Sequence, residues 1–241
     1  MNGALPPGRF VEALKQKRHA DRRRTYLLLG VIGAAVLILG IGVWLAFFSP
    51  VFAANQVTVS GLTLLTEDQV TTAAAVETGV PLALTDTGAI EQRVGELSPV
   101  KSVEVNRALP DTLEIAVTER TLAFQRARDG QFDWVDDEGL VFHHSAEAVA
   151  DAIVVNTSTA DQRLLTDLAT VARNVPPTVR PQVVSISAEA VDGITLALTE
   201  NRTVNWGSAE ESELKGEVVA ALLSVEASVY DVSAPRHPTT R

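Results

Sequence analysis

The stretch TYLLLGVIGAAVLILGIGVWLAFF, residues Thr25 to Phe48, decides how this chain is organised. From Tyr26 onward it contains no charged residue, no histidine and no side-chain amide. A helix rises about 1.5 Å per residue, so a helix of this length spans the roughly 30 Å hydrocarbon core of a bilayer. A helix also satisfies its own backbone hydrogen bonds, as lipid requires. The sequence therefore predicts a transmembrane helix over residues 26–48.

Two other interpretations of this stretch must be weighed. A buried core helix is disfavoured, because core helices rarely lack a polar face over such a length. A cleaved signal peptide is the second, since Val51-Phe52-Ala53 before Ala54 loosely resembles a small-residue cleavage site. The apolar run is longer than a usual signal-peptide core, which favours a retained anchor. Whether cleavage after Ala53 ever occurs stays open from sequence.

Basic residues lie on one side of the apolar stretch. Seven of them precede Tyr26, against two acidic residues, and after Phe48 no Lys or Arg occurs until Arg93. The positive-inside rule then makes residues 1–25 a basic cytoplasmic tail and places the rest of the chain outside, a single-pass type II arrangement. The residues predicted to lie at the two membrane interfaces are Arg22, Arg23, Arg24 and Tyr26 on the inner side and Trp44 on the outer side.

Charge and cysteine content exclude several kinds of function. The chain has 20 basic and 30 acidic residues, and the part after the apolar stretch carries 13 and 28 of them, a net charge of −15. So acidic a surface disfavours nucleic acid as a partner. The chain has no cysteine, so it has neither disulfides nor a thiolate nucleophile or metal ligand.

The first segment outside the membrane shows an order of strand, helix, helix, strand, strand. Gln56 to Ser60 alternate as a strand and end at Gly61. Thr66 and Gln69 form a capping box that opens a helix through Val76, with Gly79 as its expected C′ residue. A second helix presents Ile90, Val94 and Leu97 on one face, and alternating runs around Leu109-Pro110-Asp111 predict a β-hairpin. Sheet and helices that share one apolar face make an α+β module.

From Thr121 the pattern changes to short strands with interspersed helices. Turns at 129–130 and 137–139 predict a meander, and Thr159 with Gln162 is expected to cap a helix. Ser208 with Glu211 is expected to cap another, whose apolar face is Leu214, Val218, Ala221, Leu222 and Val225. A last strand, Ser228 to Val232, precedes a Pro-bearing tail. Only one of Val229 and Tyr230 can face the core, so Tyr230 and Val232 are expected to share one face and Val229 and Asp231 the other.

The chain resembles the FtsQ/DivIB family of bacterial cell-division proteins. The similarity rests on the order and spacing of several stretches: VTVSG (57–61), SPVKSVEVNRALPDTLEIAVTER (98–120), VDDEGLVF (135–142), Trp206-Gly207 before a helix with ELK at 213–215, and YDVSAPRHP (230–238). The resemblance implies a transmembrane helix (26–48), a POTRA module of β-α-α-β-β order (54–120), a β domain with a mixed antiparallel sheet and flanking helices (121–232), and a tail (233–241). Ala108, Leu122 and Asn201-Arg202 depart from the family's usual residues.

The resemblance also implies a function and a binding site. Family members are non-enzymatic scaffolds of the division machinery, at the septum, that bind the division proteins FtsL and FtsB/DivIC outside the membrane and act with the septal peptidoglycan synthase complex. FtsB is implied to add a strand to the exposed edge of the last β-strand. The residues that correspond to this strand are Ser228, Val229, Tyr230, Asp231 and Val232. Physically, an edge strand offers unpaired N–H and C=O groups, and Tyr230 is either an anchor for the partner or a residue packed in the core.

The remaining motifs favour no chemistry. His143 and His144 are close in sequence to Asp133, Asp136, Asp137 and Glu138, but adjacent residues of a strand point to opposite faces and do not chelate one ion, and the acidic residues resemble turn residues. No catalytic motif or phosphate-binding loop occurs, so we expect no cofactor, no metal and no small-molecule substrate. Two alternatives remain: a POTRA-type protein-transport or envelope-assembly component, and a membrane-anchored envelope enzyme.

Overall fold

The computed structural model describes residues 27–45 and 49–241. The predicted inner-interface residues Arg22, Arg23, Arg24 and Tyr26 lie outside this range, as do residues 46–48. The helices are α1 Leu27–Leu45, α2 Glu67–Ala74, α3 Thr87–Gly95, α4 Gln162–Asn174 and α5 Ser212–Leu222. The strands are β1 Gln56–Ser60, β2 Val100–Ala108, β3 Thr112–Glu119, β4 Phe124–Arg128, β5 Gln131–Val135, β6 Val141–Ser145, β7 Val154–Asn156, β8 Val183–Ser187, β9 Ile194–Leu198, β10 Thr203–Gly207, β11 Val229–Asp231 and β12 Thr239–Thr240.

The strands form two sheets, of three and nine strands. The first has the order β1-β3-β2 and the second the order β12-β11-β10-β9-β8-β7-β4-β5-β6. Parallel pairs β4–β7, β7–β8 and β10–β11 interrupt an otherwise antiparallel larger sheet. The α+β class with a β-α-α-β-β segment before a mixed sheet is thus confirmed.

The described chain divides into two compact units. The first contains residues up to 58 together with 75–88 and 105–115, and the second contains 59–74, 89–104 and 116–241. This division cuts each strand of the smaller sheet, whereas the nine-stranded sheet belongs wholly to the second unit.

Local features of the sequence explain where α2 begins and ends. The predicted capping box is present, because Thr66 N–H donates to Gln69 Oε1 at 2.8 Å and Gln69 N–H donates to Thr66 Oγ1 at 3.3 Å. The helix ends at Ala74 instead of Val76, since Ala75 has a φ of 45°. Gly79 has a φ of 84° but lies in a later turn, so its prediction as the C′ residue was wrong.

The core of the second unit lies between α4, α5 and the large sheet. The helix α4 buries Leu164, Leu165, Leu168 and Val171 as the sequence predicted. Its cap is Asp161, whose Oδ1 accepts from Leu164 N–H at 3.0 Å, and not Thr159. The sheet contributes side chains with no measurable exposure, among them Ile186, Leu196, Val204 and Trp206.

The helix α5 departs most from the sequence prediction. It begins at Ser212, and Glu211 at its N-cap has a φ of 51° and makes no side-chain capping bond, so the predicted Ser208–Glu211 box was wrong. Its fully buried residues are Ser212, Lys215, Gly216 and Val219. Of the predicted aliphatic face, Val218 and Leu222 are half-buried against the core and Leu214 is half-buried, whereas Ala221 and Val225 are exposed. Gly216 explains the difference, because a Cβ there would overlap the carbonyl oxygen of Asn174. The helix therefore packs closely against the end of α4 through its smallest residue.

Candidate partner-binding edge of the sheet

The strand β11 lies between two neighbours instead of at the outside of the sheet. On one side it pairs in parallel with β10, with Val204 opposite Tyr230. On the other it pairs antiparallel with β12, with Thr240 opposite Tyr230 and Thr239 opposite Asp231. The expectation that Ser228–Val232 forms the outermost strand was therefore wrong, because the residues predicted as a tail add one more short strand.

The side chains of β11 alternate as predicted. Tyr230 is 1% exposed and Val232 is fully buried, whereas Val229 and Asp231 on the other face are half-buried. The Tyr230 hydroxyl donates to the carbonyl oxygen of Val225 at 2.8 Å. Of the two interpretations of Tyr230, the structure supports packing in the core, so this ring anchors its own strand and is not exposed to a partner.

The main chain of β11 also alternates between its two neighbours. Val232 N–H donates to Asn205 O on β10 at 2.9 Å. In contrast, Val229 faces the tail: its N–H donates to Arg241 O at 3.1 Å and its carbonyl accepts from Arg241 N–H at 2.9 Å. Ser228, which is exposed, donates its N–H to the same oxygen at 2.8 Å. Val229 therefore carries the peptide groups that point away from the rest of the sheet.

Residues at the start of α5 bind β10 and the loop that follows it, next to β11. Trp206 on β10 donates its indole N–H to Ser212 Oγ at 3.1 Å. Lys215 is 1% exposed, and its Nζ donates to the carbonyl oxygen of Ser208 at 2.8 Å. Burial lowers the pKa of Lys215, although the carboxylates of Glu210 and Glu211 partly offset this effect.

A turn fixes the exit from β11. Asp231 Oδ1 accepts from the Ser233 hydroxyl at 2.6 Å and from the Ser233 N–H at 3.0 Å, and these bonds hold the pKa of Asp231 below its usual range. Gly207 has a φ of 78°, and a Cβ on it would lie 2.9 Å from that of Ser233. The chain leaving β11 therefore passes close to β10 before it turns back.

Sequence reasoning missed a row of charged residues at the opposite end of the sheet. Arg126, Asp133 and His144 lie side by side on β4, β5 and β6. Arg126 Nη2 contacts Asp133 Oδ2 at 2.5 Å, and His144 Nδ1 lies 2.7 Å from Asp133 Oδ1. Burial alone raises the pKa of Asp133, but its hydrogen bonds with Arg126 and His144 outweigh that effect and hold the pKa below the ordinary value.

A signal for this row was present in the sequence. The predicted two-residue turn at Asp129-Gly130 fixes the hairpin register and places position 126 opposite position 133. Asp133 was instead grouped with the turn residues, which is wrong, whereas Asp136 is a turn residue whose Oδ1 accepts from Leu140 N–H at 2.8 Å.

Within residues 27–45 and 49–241, no three His, Cys, Asp or Glu side chains are placed to hold a metal ion. His143 packs against Trp134, with ring centroids 4.8 Å apart, while its neighbour His144 binds Asp133. The two histidines thus point to different surroundings, as the strand geometry predicted.

One surface hollow gathers titratable groups. It is lined by Arg163, Asp167, Asp192 and Glu210 together with Thr170 and Ser208. Burial raises the pKa of Asp167, which the Arg163 guanidinium partly counteracts. Its lining contains no histidine. The titratable groups that line this hollow are three carboxylates and one guanidinium.

The helix α1 is the membrane candidate among the described residues. It spans Leu27–Leu45, has a mean hydropathy of 2.6, and none of its most apolar window is buried. Trp44 lies in its last turn and is exposed. Length and composition match a single membrane crossing.

Comparisons with known proteins match both parts outside α1. Residues 52–120 match the model of the POTRA domain, FtsQ-type, and residues 123–233 match that of cell division protein FtsQ/DivIB, C-terminal. Neither match points to the transport alternative.

Relatives named "Cell division protein FtsQ" cover most of the chain. One from Streptomyces bingchenggensis is 37% identical over 237 residues, 93% of this chain and 88% of the relative. Those from Mycolicibacterium smegmatis and Streptomyces venezuelae are 33% and 34% identical, covering 99% and 90% of this chain and 70% and 84% of their own lengths. With both domain models matched in order behind a single apolar helix, the chain belongs to the FtsQ/DivIB family of single-pass membrane cell-division proteins.

Proposed function

We propose that this chain is a scaffold of the division septum that crosses the membrane once, with its N-terminus in the cytoplasm, and that recruits other division proteins outside the membrane. The observation that carries the proposal is the arrangement just described: one apolar helix, then a POTRA region, then the FtsQ/DivIB C-terminal region. The excess of basic residues before the helix supports the orientation. The domain boundaries at residues 54, 121 and 233 belong to the same proposal.

The proposed partners are FtsB/DivIC and FtsL, in contact with the septal peptidoglycan synthase complex. We place the FtsB/DivIC site on Ser228–Val232, through main-chain pairing. The physical support is the outward N–H and C=O of Val229, because strand addition gains affinity from such groups. The buried side chains of Tyr230 and Val232 keep this strand fixed to the sheet, so that a partner meets a preformed edge.

Localisation tests the septal role. A fluorescent fusion of the full chain is expected to form a band at midcell in dividing cells. A uniform envelope signal, together with normal division after depletion, contradicts it. A reporter enzyme that is active only outside the membrane, fused after Arg241, is expected to be active, and an inactive fusion contradicts the orientation.

A backbone substitution tests the edge. Val229→Pro removes the outward N–H, whereas Val229→Thr keeps it together with the β-branched shape, and so serves as the matched control. Co-purification of FtsB/DivIC is expected to fall in the proline variant and to be retained in the threonine variant. Equal capture by both variants contradicts this edge as the site. Val232→Pro is unsuitable, because the Val232 N–H bonds β10 inside the sheet.

A further inference from the structure

The edge of β11 already has an occupant. Residues 238–241, which we call the tail strand, run antiparallel to it with Thr239 opposite Asp231 and Thr240 opposite Tyr230. The bonds from Val229 N–H to Arg241 O and from Arg241 N–H to Val229 O are those a partner strand would make. The tail strand therefore occupies the hydrogen-bonding groups that the proposed function assigns to a partner.

The tail strand is attached weakly through side chains. Thr239, Thr240 and Arg241 are all exposed, so they contribute nothing to the core. The last buried residue before them is Pro235. Between Pro235 and Thr239 the chain makes one ion pair, from Arg236 Nη2 to Glu211 Oε1 at 3.3 Å, and both of these side chains are largely exposed. Such a pair adds little at physiological salt.

The two sides of β11 differ in how firmly their neighbouring strands are held. Towards β10 the strand is continuous with a buried core that includes Tyr230, Val204 and Trp206. Towards the tail strand it is held by main-chain bonds that join exposed Ser228 and half-buried Val229 to exposed Arg241, and by a bond from the Ser228 hydroxyl to Arg241 O at 3.2 Å. Exposed pairing of two residues belongs to the low end of local stability, where segments open without unfolding the domain.

We propose that the tail strand is a displaceable internal substitute for the partner, and that an extended partner segment binds β11 antiparallel by taking its place. This inference rests on the proposed function for the identity of the edge. The partner segment has the chemistry that the tail strand displays: an extended backbone that gives and accepts a hydrogen bond at Val229, with small or β-branched side chains in place of Thr239 and Thr240. Until a partner arrives, the tail strand protects an edge that would otherwise pair with other chains.

A covalent lock tests displacement directly. Val229 and Arg241 form a hydrogen-bonded antiparallel pair, whose Cα separation of about 5.5 Å suits a disulfide. The chain has no cysteine, so Val229→Cys with Arg241→Cys yields one bridge in the full-length protein. The single variant Val229→Cys is the matched control. Capture of the FtsB/DivIC ectodomain is expected to be lost in the oxidised double variant and restored by dithiothreitol, with the control insensitive to both.

Truncation tests the opposite direction. A full chain ending at His237 lacks the tail strand but keeps the buried Pro235. Removing an occupant that competes for the outward N–H and C=O of Val229 is expected to raise partner affinity by about three- to thirtyfold. Hydrogen exchange at the Val229 amide is expected to be faster in the truncated chain than in the parent chain by a similar factor, a readout that needs no partner.

The outcomes separate this inference from the proposed function. If the oxidised lock and the truncation leave capture unchanged while Val229→Pro abolishes it, the edge is right and displacement is wrong. If truncation weakens capture, the partner pairs with the tail strand itself, which also overturns displacement. If lock, truncation and proline variant all leave capture unchanged, the edge is not the binding site and both proposals fail.

Discussion

Replacing Arg126 with methionine is expected to destabilise the large sheet by about 3–5 kcal/mol. Arg126 and Asp133 are 4% and 2% exposed, so neither charge is screened by water. Arg126 donates to Asp133 Oδ2 from Nε at 3.1 Å and from Nη2 at 2.5 Å, and from Nη1 to Thr159 O at 3.1 Å. Methionine fills most of the space but leaves a buried carboxylate whose remaining hydrogen bond is with His144.

Urea titration of the full chain in detergent micelles, followed by tryptophan fluorescence, measures this loss. With a slope of about 2 kcal/mol per molar urea, a loss of about 4 kcal/mol lowers the unfolding midpoint by about 2 M. Arg128→Met is the matched control on the same strand. Its Nε lies 3.8 Å from Asp133 Oδ2, but the side chain is 58% exposed, so we expect a cost below about 1 kcal/mol.

A double variant distinguishes the buried charge from the lost packing. Combining Arg126→Met with Asp133→Leu removes both charges, and we expect it to lie within about 2 kcal/mol of the parent chain. The two single changes then show strong coupling. If Arg126→Met costs less than about 1 kcal/mol, or if the two single costs simply add, the reasoning about an uncompensated buried charge is refuted.

Three further changes have expected outcomes. The pKa of Asp133 is depressed in the folded state, so the parent chain should lose stability as the pH falls below about 4 and through that depressed pKa. Asp133→Asn should show a shallower loss, and urea unfolding midpoints at successive pH values measure the difference. The pKa of Lys215 is lowered in the folded state, so the folded chain releases this proton at a lower pH than the unfolded chain does. As the pH rises through that lowered pKa towards about 10.4, the parent chain should therefore gain stability relative to Lys215→Met, again measured by urea unfolding midpoints. Gly216→Ala should cost about 1–3 kcal/mol by thermal unfolding, since its Cβ overlaps Asn174 O, whereas Gly95→Ala meets no atom within 4 Å and should be neutral or stabilising.

The fold was predictable where the signal is local or periodic. The hydropathy of α1, the Thr66–Gln69 box and the alternation of Leu113, Ile115 and Val117 each correspond to an observed element or burial pattern. The same reasoning failed at α5, although Ser208 and Glu211 have the spacing of a capping box. There the Ser208 carbonyl binds Lys215 Nζ, and a lysine in the core follows from helix packing, which no periodic pattern encodes.

The candidate site was predictable in part. Alternation within Ser228–Val232 correctly put Tyr230 and Val232 on one face and Val229 and Asp231 on the other, because successive side chains of a strand alternate, but it left open which of the two faces is buried. The tail strand could not be foreseen, since two threonines after a proline carry no period. Its pairing with β11 depends on where the turn after Asp231 directs the chain, which is set by tertiary contacts with β10.

The geometry of β11 separates folding from recognition. Its inward side chains, Tyr230 and Val232, secure the strand to the core, while the proposed function assigns recognition to the peptide groups of Val229, whose N–H only a substitution by proline removes. Side-chain changes on the outer face, such as Val229→Thr, should then adjust binding modestly. Changes at Tyr230 should act through the position of the whole strand, since its ring and hydroxyl are tied to the core and to Val225. Under the proposed function, such an edge tolerates sequence variation in the partner, because main-chain hydrogen bonds do not depend on side-chain identity. The tail strand, residues 238–241, then serves as a competitor that excludes partners that pair less well.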